Sequence, residues 1–133
     1  MNEPVWLDVT IVRILHLEQL QQFGGLAGIR DEGLLLSALA RAQNRWAYSS
    51  PKPDLIALSA SYAFGIAKNH PFFDGNKRTS LIACQMFLQQ NGLKLASSQS
   101  EQVQFILSLA SGAIGEEELE TWIRSRVRPL YSQ

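Results

Sequence analysis

Nine consecutive residues, His70-Pro71-Phe72-Phe73-Asp74-Gly75-Asn76-Lys77-Arg78, carry an imidazole, a carboxylate, a carboxamide, an ammonium and a guanidinium across one turn and into the start of a helix. Packing alone explains no such mixture. An imidazole titrates at about 6.5 and can take a proton from a hydroxyl, which makes His70 a candidate general base. Asp74 is a hard oxygen ligand suited to a Mg2+ ion shared with phosphate oxygens. Gly75 lets the backbone approach an anion closely, and Asn76 can fix the loop by bonding to its carbonyls. Lys77 and Arg78 fall in the first helical turn, where cations oppose the helix dipole at a cost of ~0.3–1 kcal/mol each, so a compensating anion is expected on the free N–H groups there. Phe72 is expected to point inward and anchor the loop. The chemistry implied is attack of a hydroxyl on a phosphorus of a bound nucleotide, driven by positioning and charge stabilisation. Singly, each residue has a plainer use: a helix-end histidine, an N-cap aspartate, a turn asparagine, a solvated basic face. Their order within nine residues favours a site.

The elements around this stretch must position it. Apolar residues at Val9, Val12, Leu15, Leu17, Leu20 and Phe23 predict a first helix from the cap Asp8 to Gly24-Gly25. The glycine-rich segment Gly24-Gly25-Leu26-Ala27-Gly28-Ile29-Arg30 reads as a mobile loop or flap. A second helix runs from Asp31 to about Tyr48, ahead of the Ser49–Pro53 turn. Asp54 caps a third, apolar nearly all round and so central, which stops at Asn69-His70 before Pro71. A fourth begins at Gly75-Asn76 and ends at Asn91-Gly92, leaving the candidate site in the elbow between two buried helices. Ser97–Ser100 can cap a fifth through Leu109, and Glu116 to Val127 forms a sixth with acids first and Arg124 and Arg126 in its last turn, followed by Arg128, as the dipole prefers. The expected architecture is all-α, a compact six-helix bundle with at most a very short strand pair, from Val5-Trp6-Leu7 and Leu93–Leu95.

A chain of 133 residues with 46% hydrophobic content fits one domain over residues 1–133 with a core that needs no disulfide. Lysine plus arginine equals aspartate plus glutamate at 12 each, so no basic excess argues for nucleic acid or an acidic membrane. Arg41, Arg45 and the C-terminal arginines lack a reading motif as well. Cys84, the single cysteine, is expected to be a buried thiol in a reducing compartment. No leader pattern and no apolar run of ~20 residues is present, so a cytoplasmic protein without membrane association is expected.

The nine residues resemble the signature of the Fic/Doc family, H-x-F-x-D/E-x-N-G/K-R. Phe23–Asp31 and Leu35-Leu36-Ser37-Ala38-Leu39 are similar to the early segment of its death-on-curing (Doc) branch, and so is Asn76-Lys77-Arg78-Thr79. The resemblance implies an all-α bundle with His70 as general base, Asp74 as Mg2+ ligand, and Gly75, Asn76, Lys77 and Arg78 as the phosphate-binding loop and helix start. AMP-transferring members have glycine where this chain has Lys77, and usually a second arginine where it has Leu81. Both differences point to Doc-like chemistry, in which a reversed nucleotide presents its γ-phosphate to the acceptor hydroxyl. Physically, a lysine at the nest would obstruct the usual pyrophosphate position.

The function implied is that of a toxin in a toxin–antitoxin pair: a protein kinase of unusual fold using ATP or another nucleoside triphosphate on a serine or threonine of a host protein, typically the translation factor that carries aminoacyl-tRNA. Gly24 to Arg30 would hold the acceptor as an added strand. Lys68 and Arg30 are further candidates for phosphate or acceptor contacts, or plain surface charges. The inhibitory-helix pattern of some Fic proteins is missing, since Ser111 is followed at the fourth position by Gly115. Restraint would then come from an antitoxin whose disordered tail folds into the groove. The alternatives are AMP transfer to a protein hydroxyl and a non-catalytic phosphate- or partner-binding module.

Overall fold

The structure, a computed structural model, describes residues 2–131. Six helices and two three-residue strands follow in order: α1 Val9–Phe23, α2 Glu32–Tyr48, α3 Leu55–Asn69, α4 Asn76–Gln90, β1 Leu93–Leu95, α5 Gln99–Ala110, α6 Glu116–Arg126 and β2 Val127–Pro129. This is the all-α bundle expected, with one very short strand pair. Four helices begin where a short polar side chain can take an orphan backbone N–H. Asp8, Asp31, Asp54 and Ser98 accept from the N–H groups of Thr10, Leu34, Ala57 and Glu101 at 2.7–3.1 Å.

Helix α3 is the axis of the fold, with ten of its fifteen residues buried. Its alanines, serines and one glycine let neighbours come close on every side. A Cβ at Gly65 would stand 2.9 Å from the carbonyl oxygen of Ala38, so α2 crosses α3 at backbone distance. On one side, Leu58, Tyr62 and Ile66 of α3 join Val12, Leu35, Phe72 and Phe87 in a first core cluster. On the other, Ala60, Ala63 and Ala67 join Leu88, Ile106, Leu109, Leu119 and Ile123. The charges of α6 reach across the bundle: Glu116 binds Arg41 and Arg45, Arg124 binds Asp54 and Glu120, and Arg126 binds Glu101. Arg41 and Arg45 are thereby neutralised, and no helix of the described residues is long and apolar enough to cross a membrane.

Three expectations need correction. Val5-Trp6-Leu7 forms no strand; side chains pin it instead. The Asn91 carboxamide takes the N–H and C=O of Val5 at 2.8 and 3.0 Å, Leu7 N–H donates to the Tyr62 hydroxyl at 3.1 Å, and Trp6 stacks on Phe87. β1 pairs antiparallel with β2, Leu95 opposite Val127, so the last helix stops at Arg126, one residue early. Leu17 is 52% exposed although its spacing suited the buried face of α1, whereas His16 is 3% exposed and occupies that face.

Candidate active site

The nine residues fold as an elbow. His70 closes α3 as its C-cap in the left-handed conformation, φ 50° and ψ 55°, the single described non-glycine residue with positive φ. Such a backbone costs of order 1–3 kcal/mol and persists only where its surroundings enforce it. Arg30 does so: its Nε and a terminal guanidinium nitrogen donate to the carbonyls of His70 and Asn69 at 2.7 and 2.9 Å. Arg30 therefore caps the end of α3. Phe72 drops into the first core cluster at 1% exposure, as expected.

Asn76, buried, clamps the loop from within. Its Oδ1 accepts from Phe72 N–H at 3.0 Å and its Nδ2 donates to Phe72 C=O at 2.9 Å, which fixes the orientation of the amide. The same Nδ2 stands 3.2 Å from His70 Nδ1. An amide N–H facing that nitrogen leaves the neutral ring with its lone pair on Nδ1 and its proton on Nε2.

Gly75, at φ 78°, is the N-cap of α4 and supplies no side-chain cap. Thr79 N–H returns to Gly75 C=O at 2.9 Å, while the N–H groups of Asn76, Lys77 and Arg78 have no partner among the described residues. These three donors open into a groove of about 890 Å³ between α1, α4 and α5. His70, Asp74, Gly75, Asn76, Lys77 and Arg78 line one end of it. Lys77 and Arg78 are exposed and meet no carboxylate among the described residues; Arg78 lies over the Phe23 ring at 4.3 Å. Leu81, Ile82, Val103, Ile106 and Leu107 line the rest of the groove together with the polar side chains of Gln85, Ser97, Gln99 and Gln102. The volume suits a small organic ligand, and the charged end can receive phosphate oxygens.

Asp74 is exposed; one carboxylate oxygen accepts from Leu26 N–H at 2.8 Å and the other takes no protein donor. No group of three or more metal-ligating side chains exists among the described residues. The second Asp74 oxygen is a hard donor of the kind a divalent cation takes alongside phosphate oxygens and water.

The far end of the glycine-rich segment hydrogen-bonds to this loop. Ile29 and Phe72 form an antiparallel bridge, Arg30 N–H donates to Pro71 C=O at 2.7 Å, and Phe73 N–H donates to Gly28 C=O at 3.3 Å. Gly25, at φ 128°, sits so close that a Cβ would be 3.2 Å from that of Asp74. The N–H and C=O groups of Ala27 and Ile29 take no partner among the described residues, which leaves that edge unpaired there. Lys68 stands apart from the groove, its ammonium 5.9 Å from the Phe64 ring and beside Gly112.

His16 is the residue that sequence reasoning missed. Its ring stacks on Phe72, centroids 3.7 Å apart and planes at 9°, and its Nε2 is 2.8 Å from the carbonyl oxygen of Asp74. The four-residue step from Val12 was the available signal.

A helical bundle that gathers a helix start, two unpaired cations, a carboxylate and an imidazole at one end of a groove defines a class of protein able to handle phosphate esters. The sequence pattern of the Fic/DOC family matches residues 6–88, and the chain belongs to that family. Its relatives lie in the Doc branch. "Protein kinase doc" of Escherichia phage P1 is 34% identical over 117 residues, covering 88% of each chain. "Toxin Doc" of Mycolicibacterium smegmatis is 41% identical over 75 residues, covering 56% of this chain and 58% of that one.

Proposed function

We propose that this protein is a Doc-type toxin that transfers the γ-phosphate of ATP, or another nucleoside triphosphate, to a serine or threonine hydroxyl of a host protein. One observation carries the reading: the unpaired N–H groups and the cations that line the groove stand in the first turn of α4, beside His70 and Asp74, and the next turn presents Leu81, not a cation, to the groove. A single phosphate-binding end matches transfer of a terminal phosphate better than the seating of a whole pyrophosphate. The names of both relatives, a kinase and a toxin, support the same branch.

In this mechanism Lys77, Arg78 and the α4 N–H groups hold the terminal phosphate and stabilise charge on its oxygens. A Mg2+ ion at Asp74 would neutralise phosphate charge. The acceptor segment adds as a strand on the outer edge of the flap, through Ala27 and Ile29. Its hydroxyl oxygen bonds to the γ-phosphorus, the bond from that phosphorus to the bridging oxygen breaks, and a nucleoside diphosphate leaves. The hydroxyl proton passes to Nδ1 of His70, the ring nitrogen that carries the lone pair, and the Asn76 N–H that faced it is released. Restraint comes from an antitoxin whose disordered tail folds into the groove, over Val103 and Leu107.

The test supplies ATP labelled at the γ or the α position together with a bacterial translation extract. Label reaching protein from the γ position alone is expected. Label reaching protein from the α position would instead mean AMP transfer. A His70→Ala variant that remained fully toxic in cells would leave a non-catalytic binding module as the better account.

A further inference from the structure

We infer that His16 is a positioning residue that locks the peptide between Asp74 and Gly75 and so aims the phosphate-facing end of α4; this rests on the function proposed above. A trans peptide is planar, with its C=O and N–H pointing in opposite directions. His16 Nε2–H, from the face of α1, donates to the Asp74 carbonyl at 2.8 Å, so the Gly75 N–H is turned away from α1. A glycine at φ 78° adopts left-handed and right-handed conformations with equal ease, so nothing in Gly75 itself resists a flip of this peptide. No side chain caps α4 either.

His16 is built in as a fixed support. It is 3% exposed, its ring lies flat on Phe72, and its Cδ2 and Nε2 sit 3.5 and 3.6 Å from where a Cβ on Gly75 would stand. A leucine would fill the same space without bringing a polar ring into the core, so the imidazole is accounted for by the bond its Nε2 donates. Asn76 holds the turn from inside and His16 from beneath. Asp74 and the helix start are thus referenced to α1 as well as to α4.

The experiment compares the full-length protein with His16→Phe, which keeps the ring and its stacking but loses the donor, and with His16→Gln. Glutamine carries an N–H the same number of bonds from Cα as His16 Nε2. Amide hydrogen exchange is read without nucleotide at Phe72, Phe73 and Thr79, whose N–H bonds report the turn. Faster exchange at these sites is expected in the Phe variant, with the Gln variant returning towards wild type. In the transfer assay the Phe variant should need about 10–100-fold more Mg2+ for half-saturation, with a smaller change in kcat. Should His16→Phe not fold, the 15N shifts of the wild-type His16 ring decide, with Nε2 expected to carry the proton. Unchanged exchange in the Phe variant, or a proton on Nδ1 with Nε2 bare, overturns the inference. Because exchange and ring shifts need no turnover, absence of phosphate transfer would count against the proposed function alone.

Discussion

At the scale of single residues the account rests on His70, which is exposed and held in a strained backbone by Arg30. His70→Ala should lower transfer by about 10²–10⁴-fold while leaving the melting temperature near wild type, since an exposed side chain contributes little packing. Asn76→Ala should do more harm to the fold. It removes both bonds to Phe72, leaves that buried N–H and C=O unsatisfied, and should cost about 1–3 kcal/mol in denaturant unfolding together with transfer. The sequence showed the nine-residue stretch because its residue types are improbable for packing. It did not show which cations were engaged elsewhere. Arg30 and Lys68 looked alike on paper, yet one caps α3 and the other lies over Phe64, away from the groove. His16 stayed hidden for the opposite reason: a histidine on an apolar face reads as core, and only the loop arriving over it reveals its partner.

At the scale of elements, the helices were legible because their caps and breakers are local signals. The pairing of β1 with β2 was not, since Val127–Pro129 reads as the fraying end of a basic helix and its partner lies some thirty residues away. Two predictions test how the elements are joined. Gly65→Ala would push a Cβ against the Ala38 backbone, and separating α2 from α3 should cost ~1–3 kcal/mol, more than the ~1 kcal/mol that alanine gains in a helix, measured by denaturant unfolding. Asp54 caps α3 and binds Arg124 of α6, and the Arg124 hydrogen bond, ahead of opposing desolvation, holds its carboxyl below the usual range. A carboxylate with a lowered folded pKa stabilises above its unfolded value of about 3.9, and that contribution is lost as pH falls through the folded value. Thermal melts from pH 6 to 2 should therefore show an acid-side loss that is smaller in Arg124→Ala.

At the scale of the whole molecule, zero formal net charge conceals a division of labour. The arginines facing α6 are consumed by carboxylates, while Lys77 and Arg78 have no carboxylate partner among the described residues and stand at a groove whose remaining wall mixes apolar side chains with glutamines and a serine. In the proposed function a nucleotide takes the charged end and the tail of a regulatory partner lies over Val103 and Leu107. An antitoxin tail peptide should raise the melting temperature with the logarithm of its concentration above its Kd, and Leu107→Glu should abolish that shift without removing phosphate transfer. The central claim concerns which part of the nucleotide is handed over, and intact-mass spectrometry of the acceptor answers it directly. The purified translation factor that carries aminoacyl-tRNA, incubated with this protein, ATP and Mg2+, should gain the mass of one phosphate on a serine or threonine, and should gain nothing with His70→Ala; a gain of one AMP would contradict the account.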